Sequence, residues 1–540
     1  MKRKNLTRFS RVVAFGLVAA TLFAGCGKSE NGENPNEVSD NFNAEGLPIV
    51  KEKETFTIAV PQASPIKAAA EKACVLETEE ATNIHIEWME IPLSGWDEKI
   101  NVMVSTGNMP DAILGDFNLS SNYDQVVALD EYLELYAPNV TQFFETRDDY
   151  PNALYAPDGH IKCLPTGDEA TPNIIDSQYW INKKWLDNLG LEVPETPEQL
   201  REVLIAFRDN DPNGNGQKDE IPFTFGSTWG WADAIDNFFG AFGVLESGYH
   251  VYMDENNQAV FAAEQQGYYD ALSYLHGLYA DGLIDKDVFT MSSDQYNSRD
   301  PEGSKVGLLA GYSPTQCGFN GEIGTYVALP VLKGADGKQM IGVNNVTKTG
   351  GFVISKNCKN PAALVRWYDY VNSSLEMSLK WGRGAEDVAW KIVEEDGKEV
   401  PMFLTIDDEV LKANGGYKNK AEYRNAESFS GQTPSLWRAA YEEVLQHDEK
   451  WPVDQKLDAV KDQMKYGVSY MPAGTATQEN SERRNLLKAD IDTYLKKFIA
   501  DSVINGIDEA QWQAHQETLV KLKVAEYRDL CQEYIDSVIK

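Results

Sequence analysis

One stretch of the chain sets oxygen-bearing side chains at every second position. In "DPNGNGQKDEIP", residues 211–222, these are Asp211, Asn213, Asn215, Gln217 and Asp219; Glu220 follows at once, and glycines stand at 214 and 216. A hard cation is held by roughly six to eight oxygens at short range, on a backbone that turns sharply, and this alternation supplies both. Asp211, Asn213, Asn215 and Asp219 fall at the first, third, fifth and ninth positions of an EF-hand loop, with the Gln217 backbone carbonyl at the seventh. The twelfth position is Pro222 rather than an acid, which leaves Glu220 to supply the bidentate carboxylate. The alternative is a solvated Asn-Gly turn. A catalytic pair fits less well, because glycosidic cleavage needs acids roughly 5–10 Å apart rather than side by side on a tight loop.

A second set of residues suits sugars. Aromatic rings stack on the flat C–H faces of a pyranose or furanose, while carboxylates, amides and arginines bind its hydroxyls. The chain has 12 tryptophans and 25 tyrosines. Trp229 and Trp231 sit in the glycine-bearing run "GSTWGWADAIDNFFG", just after the oxygen-rich loop. Tyr312 ends an apolar run, Trp381, Arg383 and Trp390 fall in "WGRGAEDVAW", and Trp437 falls in "TPSLWRAAYEEV". Asp116 and Glu386 are candidate hydroxyl acceptors. For each of these the competing reading is packing or plain solvation; Trp185 and Trp367, at apolar helical spacing, read as core.

Other chemistries find no motif. There is no nucleophile elbow, phosphate-binding loop or HExxH helix. Apart from Cys26, the cysteines at 74, 163, 317, 358 and 531 are scattered and odd in number, so neither a disulfide framework nor a zinc site is expected. The net charge of −35 argues against nucleic acid, which needs a positive footprint, and against lying flat on anionic lipid.

Residues 1–25 read as a secretory signal peptide: Lys2, Arg3, Lys4, Arg8 and Arg11 precede the short apolar run "VVAFGLVAATLFAG". The junction "LFAGC" is similar to a bacterial lipobox, which makes Cys26 the expected lipidation site, although Phe23 stands where that pattern usually has Leu. Residues 26–50, rich in Gly, Asn, Ser and Glu, read as a flexible tether. The expected location is therefore the outer face of the cell membrane. The body of about 490 residues is too long for one core.

These groups need a scaffold, and the apolar patterning describes it. "TFTIAV" (55–60), "NIHIEWMEI" (83–91) and "PDAILG" (110–115) read as strands separated by helices, the opening of a doubly wound α/β sheet. Ligands lie off the carboxyl ends of such strands, near residues 60–62 and 115–118. "QYWINKKWLDNLGL" reads as a strand running into a helix, 261–285 as a helical hairpin, and 304–312 and 350–356 as strands. Long amphipathic helices fill the chain from about 480 to its end.

Taken in order, "LPIVKEKETFTIAV", "GNMPDAILG", "YWINKKWLDNLGLEVPETPEQL", "DPNGNGQKDEIP", "LYADGLID" and "GGFVISKNCKNPAALVRWYDY" resemble the extracellular solute-binding proteins (family 1) of ABC importers. The likeness is to the large Gram-positive lipoprotein branch related to alginate-oligosaccharide-binding proteins, and it covers essentially the whole mature chain. It implies an α/β, two-lobed periplasmic-binding-protein-like fold with hinge crossings and a C-terminal helical region. Lobe 1 would hold residues 51–165 and about 349–400, and lobe 2 residues 166–348 and about 401–540. It also implies a structural calcium ion on Asp211, Asn213, Asn215, Gln217, Asp219 and Glu220. The expected function is capture of a carbohydrate, an oligosaccharide, by a monomer that closes on it and delivers it to membrane permease subunits without catalysis. In "WGRGAEDVAW", Arg383 and Ala385 depart from the family's glycine-acid-aromatic segment. A peptide-binding or sensor-coupled receptor of the same fold, or a surface glycoside hydrolase, are the alternatives.

Overall fold

The computed structural model describes residues 35–36, 38–62, 66–146, 153–166, 171–175, 177–226, 235–319, 321–344, 351–395, 397–429, 434, 446–447 and 452–539. Ten strands frame the site: β1 (Glu54–Gln62), β2 (Ile84–Pro92), β3 (Ala112–Leu114), β4 (Gln178–Asn182), β5 (Ile221–Thr224), β6 (Val306–Gly311), β7 (Tyr326–Ala328), β8 (Ile341–Val343), β9 (Phe352–Ile354) and β10 (Gly467–Ser469). The helices that matter here are α1 (Ala73–Thr82), α2 (Trp96–Thr106), α3 (Lys183–Leu189), α4 (Pro197–Asp209), α5 (Gln266–Ala280), α6 (Pro361–Val371), α7 (Leu375–Arg383), α8 (Pro452–Gln463), α9 (Gln478–Asn505), α10 (Glu509–Lys521) and α11 (Val524–Val538).

Two sheets form, each with its own core. The first runs β9–β3–β1–β2. β1 is parallel to both β2 and β3, and β9 closes the edge antiparallel to β3. Helices covering such a sheet leave its centre dry, which is why "TIAV" in β1 is apolar on consecutive positions rather than alternate ones. The second sheet runs β5–β6–β4–β7. Here β5 and β6 are parallel, while β4 is antiparallel to both β6 and β7. Trp180 and Ile181 of β4 are fully buried in a core that also takes side chains from α3, α4 and α5 and the long C-terminal helices. Local chemistry sets the helix ends: the Asn182 side chain accepts from Trp185 N to start α3, and Gly190, at φ 66°, ends it.

The chain passes between the cores three times. It leaves the first after Leu164 and enters the second by Tyr179, returns between Leu332 and Phe352, and crosses again between Phe429 and Met471. The first two passages are paired at both ends. Leu164 and Phe352 exchange backbone hydrogen bonds of 2.8 Å each, and Asn344 N donates to Ile174 O at 2.8 Å. Gly351 permits this approach, since a Cβ there would lie 2.5 Å from Thr166 Oγ1. α8 and β10 clamp the junction: β10 pairs with β8, and buried Lys456 of α8 donates to Ile175 O at 2.5 Å. Ile175, Val331, Ile341 and Val460 form a small apolar cluster of their own here.

The structure corrects several expectations. Residues 42–50 are not a free arm: Phe42, Ile49 and Val50 are buried, Phe42 packs edge-on against Tyr136 at 5.1 Å, and Ile49 N donates to Thr82 O. Three apolar side chains in a polar segment suffice to dock it. The segment from Phe403 to Phe429 does not join the second core: Phe403, Leu411 and Tyr423 form a small cluster with Leu379, Ala389 and Trp390, and the segment's end meets the first core through a stack of Phe429 on Trp381 and a Lys72 ammonium that donates to Ser428 O at 2.6 Å. The expected helical hairpin at 261–285 is the single helix α5; Gly282, at φ 68°, turns the chain, and Ile284 runs alongside β5.

Cys74, Cys163 and Cys358 are buried thiols of the first core and Cys317 and Cys531 of the second. Burial pushes the Cys74 thiol up to about 12. No helix among the described residues is long and apolar enough to cross a membrane.

Candidate functional site

The oxygen-rich loop joins α4 to β5 and folds as its composition demands. Gly214 and Gly216 take φ of 71° and 75°, and Asp211 itself takes 42°. The Asp211 carboxylate accepts from Asn215 N and Gly216 N, both at 3.0 Å, and Asn215 Oδ1 accepts from Gln217 N at 2.7 Å. The Asn213 and Asn215 carboxamides turn their NH2 groups onto Asp219 Oδ1, at 3.3 and 3.0 Å. Glu220 Oε1 is buried without a partner, and burial, then Asp219 and Asp211, hold this carboxyl above the usual range. Among the described residues no three His, Cys, Asp or Glu side chains converge as a metal site. The loop instead offers three carboxylates together with amide and carbonyl oxygens, the mixture a calcium ion takes, and a 180° turn of the two carboxamides would present their oxygens. An orphaned acid oxygen among uncompensated carboxylates fits a cation held there.

This loop is remote from the crossings. Ile221 pairs with Val306 at the loop end of the second sheet, whereas Gln178 pairs with Gly311 at the crossing end. The strand between them, Val306–Gly311, separates the two by about 17–20 Å. A cation in the loop would support the sheet, at a distance from the crossings.

The expected solute contacts scatter. Trp229, Trp231 and Trp437 lie outside the described residues. Trp381 and Trp390 are fully buried and offer no ring face to a solute. Trp381 stacks on Phe429 at 4.9 Å and meets Trp367 edge-on at 5.4 Å, and Trp390 Nε1 donates to Gly384 O at 2.9 Å. Arg383 lies over the Phe403 ring at 4.3 Å, and Glu386 is exposed on the same side cluster. Asp116 is exposed at the carboxyl end of β3, where its carbonyl accepts from Trp96 Nε1 at 2.7 Å. Tyr312 follows β6 to the crossings, where the Lys456 ammonium sits 4.5 Å from its ring. Asp116 and Tyr312 thus stand where the strands end, and the 381–390 group does not.

A cavity of about 240 Å³ lies where the cores face each other. Ser120, just beyond β3, lines it from the first core; Tyr249, Asn344, Tyr470, Arg484 and Tyr534 line it from the second. Each is fixed by its element. Asn344 ends β8 at the crossing, and Tyr470 follows β10. The phenol end of Tyr470 lies against Gly342, where a Cβ would stand 1.8 Å from its Cζ and hydroxyl oxygen. Tyr534 of α11 donates to Pro472 O at 2.7 Å, which shapes the 471–474 wall. Arg484, in α9, lies with its guanidinium 4.6 Å from the Tyr534 ring centre. No motif marks these residues in the sequence. The available signal is "GVSYMPAGTA", 467–476, a glycine- and proline-bearing extended run between two helices. A larger cavity, of about 520 Å³, lies beside α8 and is lined from the second core and the junction alone.

Tyr249 owes its place to His250, which takes φ 57° and is held by Glu246 at 2.6 Å and Asp492 of α9 at 2.8 Å. Burial alone would lower the His250 pKa, but the two carboxylates outweigh it and raise it to about 9. Its folded value exceeds the unfolded one, so its contribution is complete below about pH 6.5 and is lost as pH rises toward 9. Thermal melts at pH 6 and pH 9 are expected to show wild type losing ~2–3 kcal/mol over that window from this group. His250→Asn, which tolerates the left-handed backbone, should lose less.

Comparison with known proteins places the chain. The model of the bacterial extracellular solute-binding protein family matches residues 59–374. The chain is 29% identical to the fructooligosaccharide ABC transporter substrate-binding protein FusA of Streptococcus pneumoniae serotype 4, over 98% of both chains. The solved structure of FusA with kestose superposes with a TM-score of 0.72 at 27% identity, covering 89% of this chain and 99% of that one. A FusA EF-hand mutant with fructo-nystose gives a TM-score of 0.71 at 26% identity, over the same shares. An extracellular solute-binding protein from Bifidobacterium longum subsp. infantis, 21% identical, shares the fold with a TM-score of 0.78 over 90% of this chain and 99% of its own.

Proposed function

Because this chain belongs to the bacterial extracellular solute-binding proteins, we propose that it captures an oligosaccharide between its two lobes and delivers it to the permease of an ABC importer. One observation carries the reading: a tyrosine-lined cavity between two cores, with the ends of their first two connections hydrogen-bonded to each other. Tyr249 and Tyr470 supply ring faces and hydroxyls, Tyr534 backs the Arg484 guanidinium, and Asn344 and Ser120 supply polar edges, the mixture a sugar requires. FusA, similar over its whole length, is named for fructooligosaccharides and was solved with kestose. The paired crossings suit hinge closure: a solute that touches both lobes stabilises the closed form, and the permease reads that form.

In this reading Tyr312 and Asp116 extend the contact surface along the cleft, and Trp229, Trp231 and Trp437, outside the described residues, remain candidate contacts. A calcium ion is held by Asp211, Asn213, Asn215, Asp219 and Glu220 with the Gln217 carbonyl, and it fixes the α4–β5 connection. An EF-hand mutant of FusA is consistent with a cation loop in a relative. Cys26 carries a lipid that keeps a monomeric body outside the cell at the membrane, and the glycan leaves unchanged.

The test is a thermal-shift screen of residues 27–540 against neutral and acidic oligosaccharides, with chromatography of each glycan afterwards. A ligand that binds only the folded state raises the melting temperature, by about 2.7 kcal/mol of stability at a hundredfold excess over Kd. One glycan should shift the melt and be recovered intact. Gly342→Ala, which must push the Tyr470 ring aside, should weaken that response about tenfold or more. A response to peptides alone would replace the sugar, and a cut glycan would make the protein a hydrolase.

A further inference from the structure

Among the described residues the cavity between the cores carries a single charged lining residue, Arg484, and no acid. That is unexpected in a chain with 84 acidic residues against 49 basic ones. Its neighbours on α9 follow the usual pattern: Arg483 pairs with Glu526 at 2.5 Å and Lys488 with Asp492 at 2.7 Å. Arg484 has no carboxylate within ion-pairing distance among the described residues. One face of its guanidinium lies over Tyr534, and the buried Cys531 thiol is its neighbour. A planar cation stacked on a ring is held in one orientation, and its N–H fork matches a carboxylate. Tyr534 is itself fixed by its hydrogen bond to Pro472 O, so the cation stands on a rigid support.

From this geometry we infer that the oligosaccharide carries a carboxylate, as a uronic acid unit does, and that Arg484 is the residue that selects it. The inference rests on the receptor reading above and narrows its substrate class. Tyr470 and Tyr249 take the faces of the sugar, Asn344 a hydroxyl, and Arg484 the carboxylate, the counter-ion that no described residue gives this cation. A neutral glycan of the same shape would leave the guanidinium buried beneath it without an anion, which is unfavourable.

Isothermal titration of residues 27–540 tests it with oligogalacturonides, oligoalginates and glucuronoxylan fragments, each beside its carboxyl-reduced counterpart, in which the carboxylate has become a primary alcohol. One acidic glycan is expected to bind roughly 10- to 100-fold tighter than its reduced form. Its affinity should fall with added salt, and Arg484→Gln should remove the preference while Arg484→Lys keeps part of it. If Arg484→Gln does not fold, the acid-against-reduced comparison on the wild-type protein still decides. Equal binding of a glycan and its reduced form, or preference for a neutral one unchanged by Arg484→Gln, overturns the inference and leaves the receptor reading standing. Should no glycan of either kind bind, the receptor reading falls and takes the inference with it.

Discussion

Chelating calcium is expected to lower the melting temperature of the protein by roughly 5–10 °C, and Asp219→Ala to abolish the difference between calcium and chelator. With calcium a hundredfold above its Kd, the linkage is worth about 2.7 kcal/mol. A domain of this size converts each kcal/mol into about 2–4 °C. The physical origin is local. Without a cation, Glu220 Oε1 has no partner, the charges of Asp219 and Asp211 act on its carboxyl, and two asparagine amides donate to Asp219 in place of a positive charge. The Asn213 carboxamide also donates to Ser304 O at 3.0 Å, and Asp300 accepts from Ser304 N at 2.9 Å and Val306 N at 3.0 Å. The loop therefore sets the start of β6, the central strand that runs to the crossings. Magnesium should not substitute, because it requires a smaller and more regular octahedron. Scanning calorimetry with calcium, magnesium and chelator checks this; superimposable melts in all three would remove the cation from the loop. Glycan affinity measured well below the melt should change little, since the loop stands a strand's length from the cavity.

The second large effect lies in the first lobe. Trp381→Ala is expected to destabilise the protein by ~3–5 kcal/mol, the usual range for emptying a buried aromatic site. Trp381 joins three elements at once: it stacks on Phe429, meets Trp367 of α6 edge-on, and donates through Nε1 to Thr78 Oγ1 of α1 at 3.3 Å. Removing it empties a site whose walls belong to different parts of the chain and cannot collapse together. Urea unfolding should show a lower midpoint in the transition of the first core, with the second unmoved. Glycan affinity in the surviving native population should be unaltered. A stable Trp381→Ala variant with weakened glycan binding would make this ring a solute contact and reverse its assignment to the core.

Much of the scaffold is legible in the residues because it is local. The parallel strands announce themselves as apolar runs, α3 is bounded by Asn182 and Gly190, and the alternating oxygens at 211–219 describe a loop that folds as they imply. The cavity is another matter. Ser120, Tyr249, Asn344, Tyr470, Arg484 and Tyr534 come from six distant places, and only the path of the chain between the cores gathers them. The reverse error has the same cause. In "WGRGAEDVAW" the glycines and charges suggest an exposed, sugar-facing turn, yet Phe429 and Trp88, remote in sequence, cover Trp381. Burial decided by far-off partners leaves no periodic trace. The docking of 42–50 escaped for a simpler reason: Phe42, Ile49 and Val50 are too few to alter the composition of a polar segment, but enough to anchor it.

The division of the cysteines gives each half of the molecule its own chronometer. Cys74, Cys163 and Cys358 belong to one core and Cys317 and Cys531 to the other, and burial keeps every one of these thiols from reacting while its core is shut. An alkylating reagent applied under native conditions therefore records when each core breathes, site by site, without any introduced label. It would show whether a bound solute quiets both halves or only the one it touches more. In an oxidising environment outside a cell, the same arrangement would keep these five thiols silent while both cores are folded.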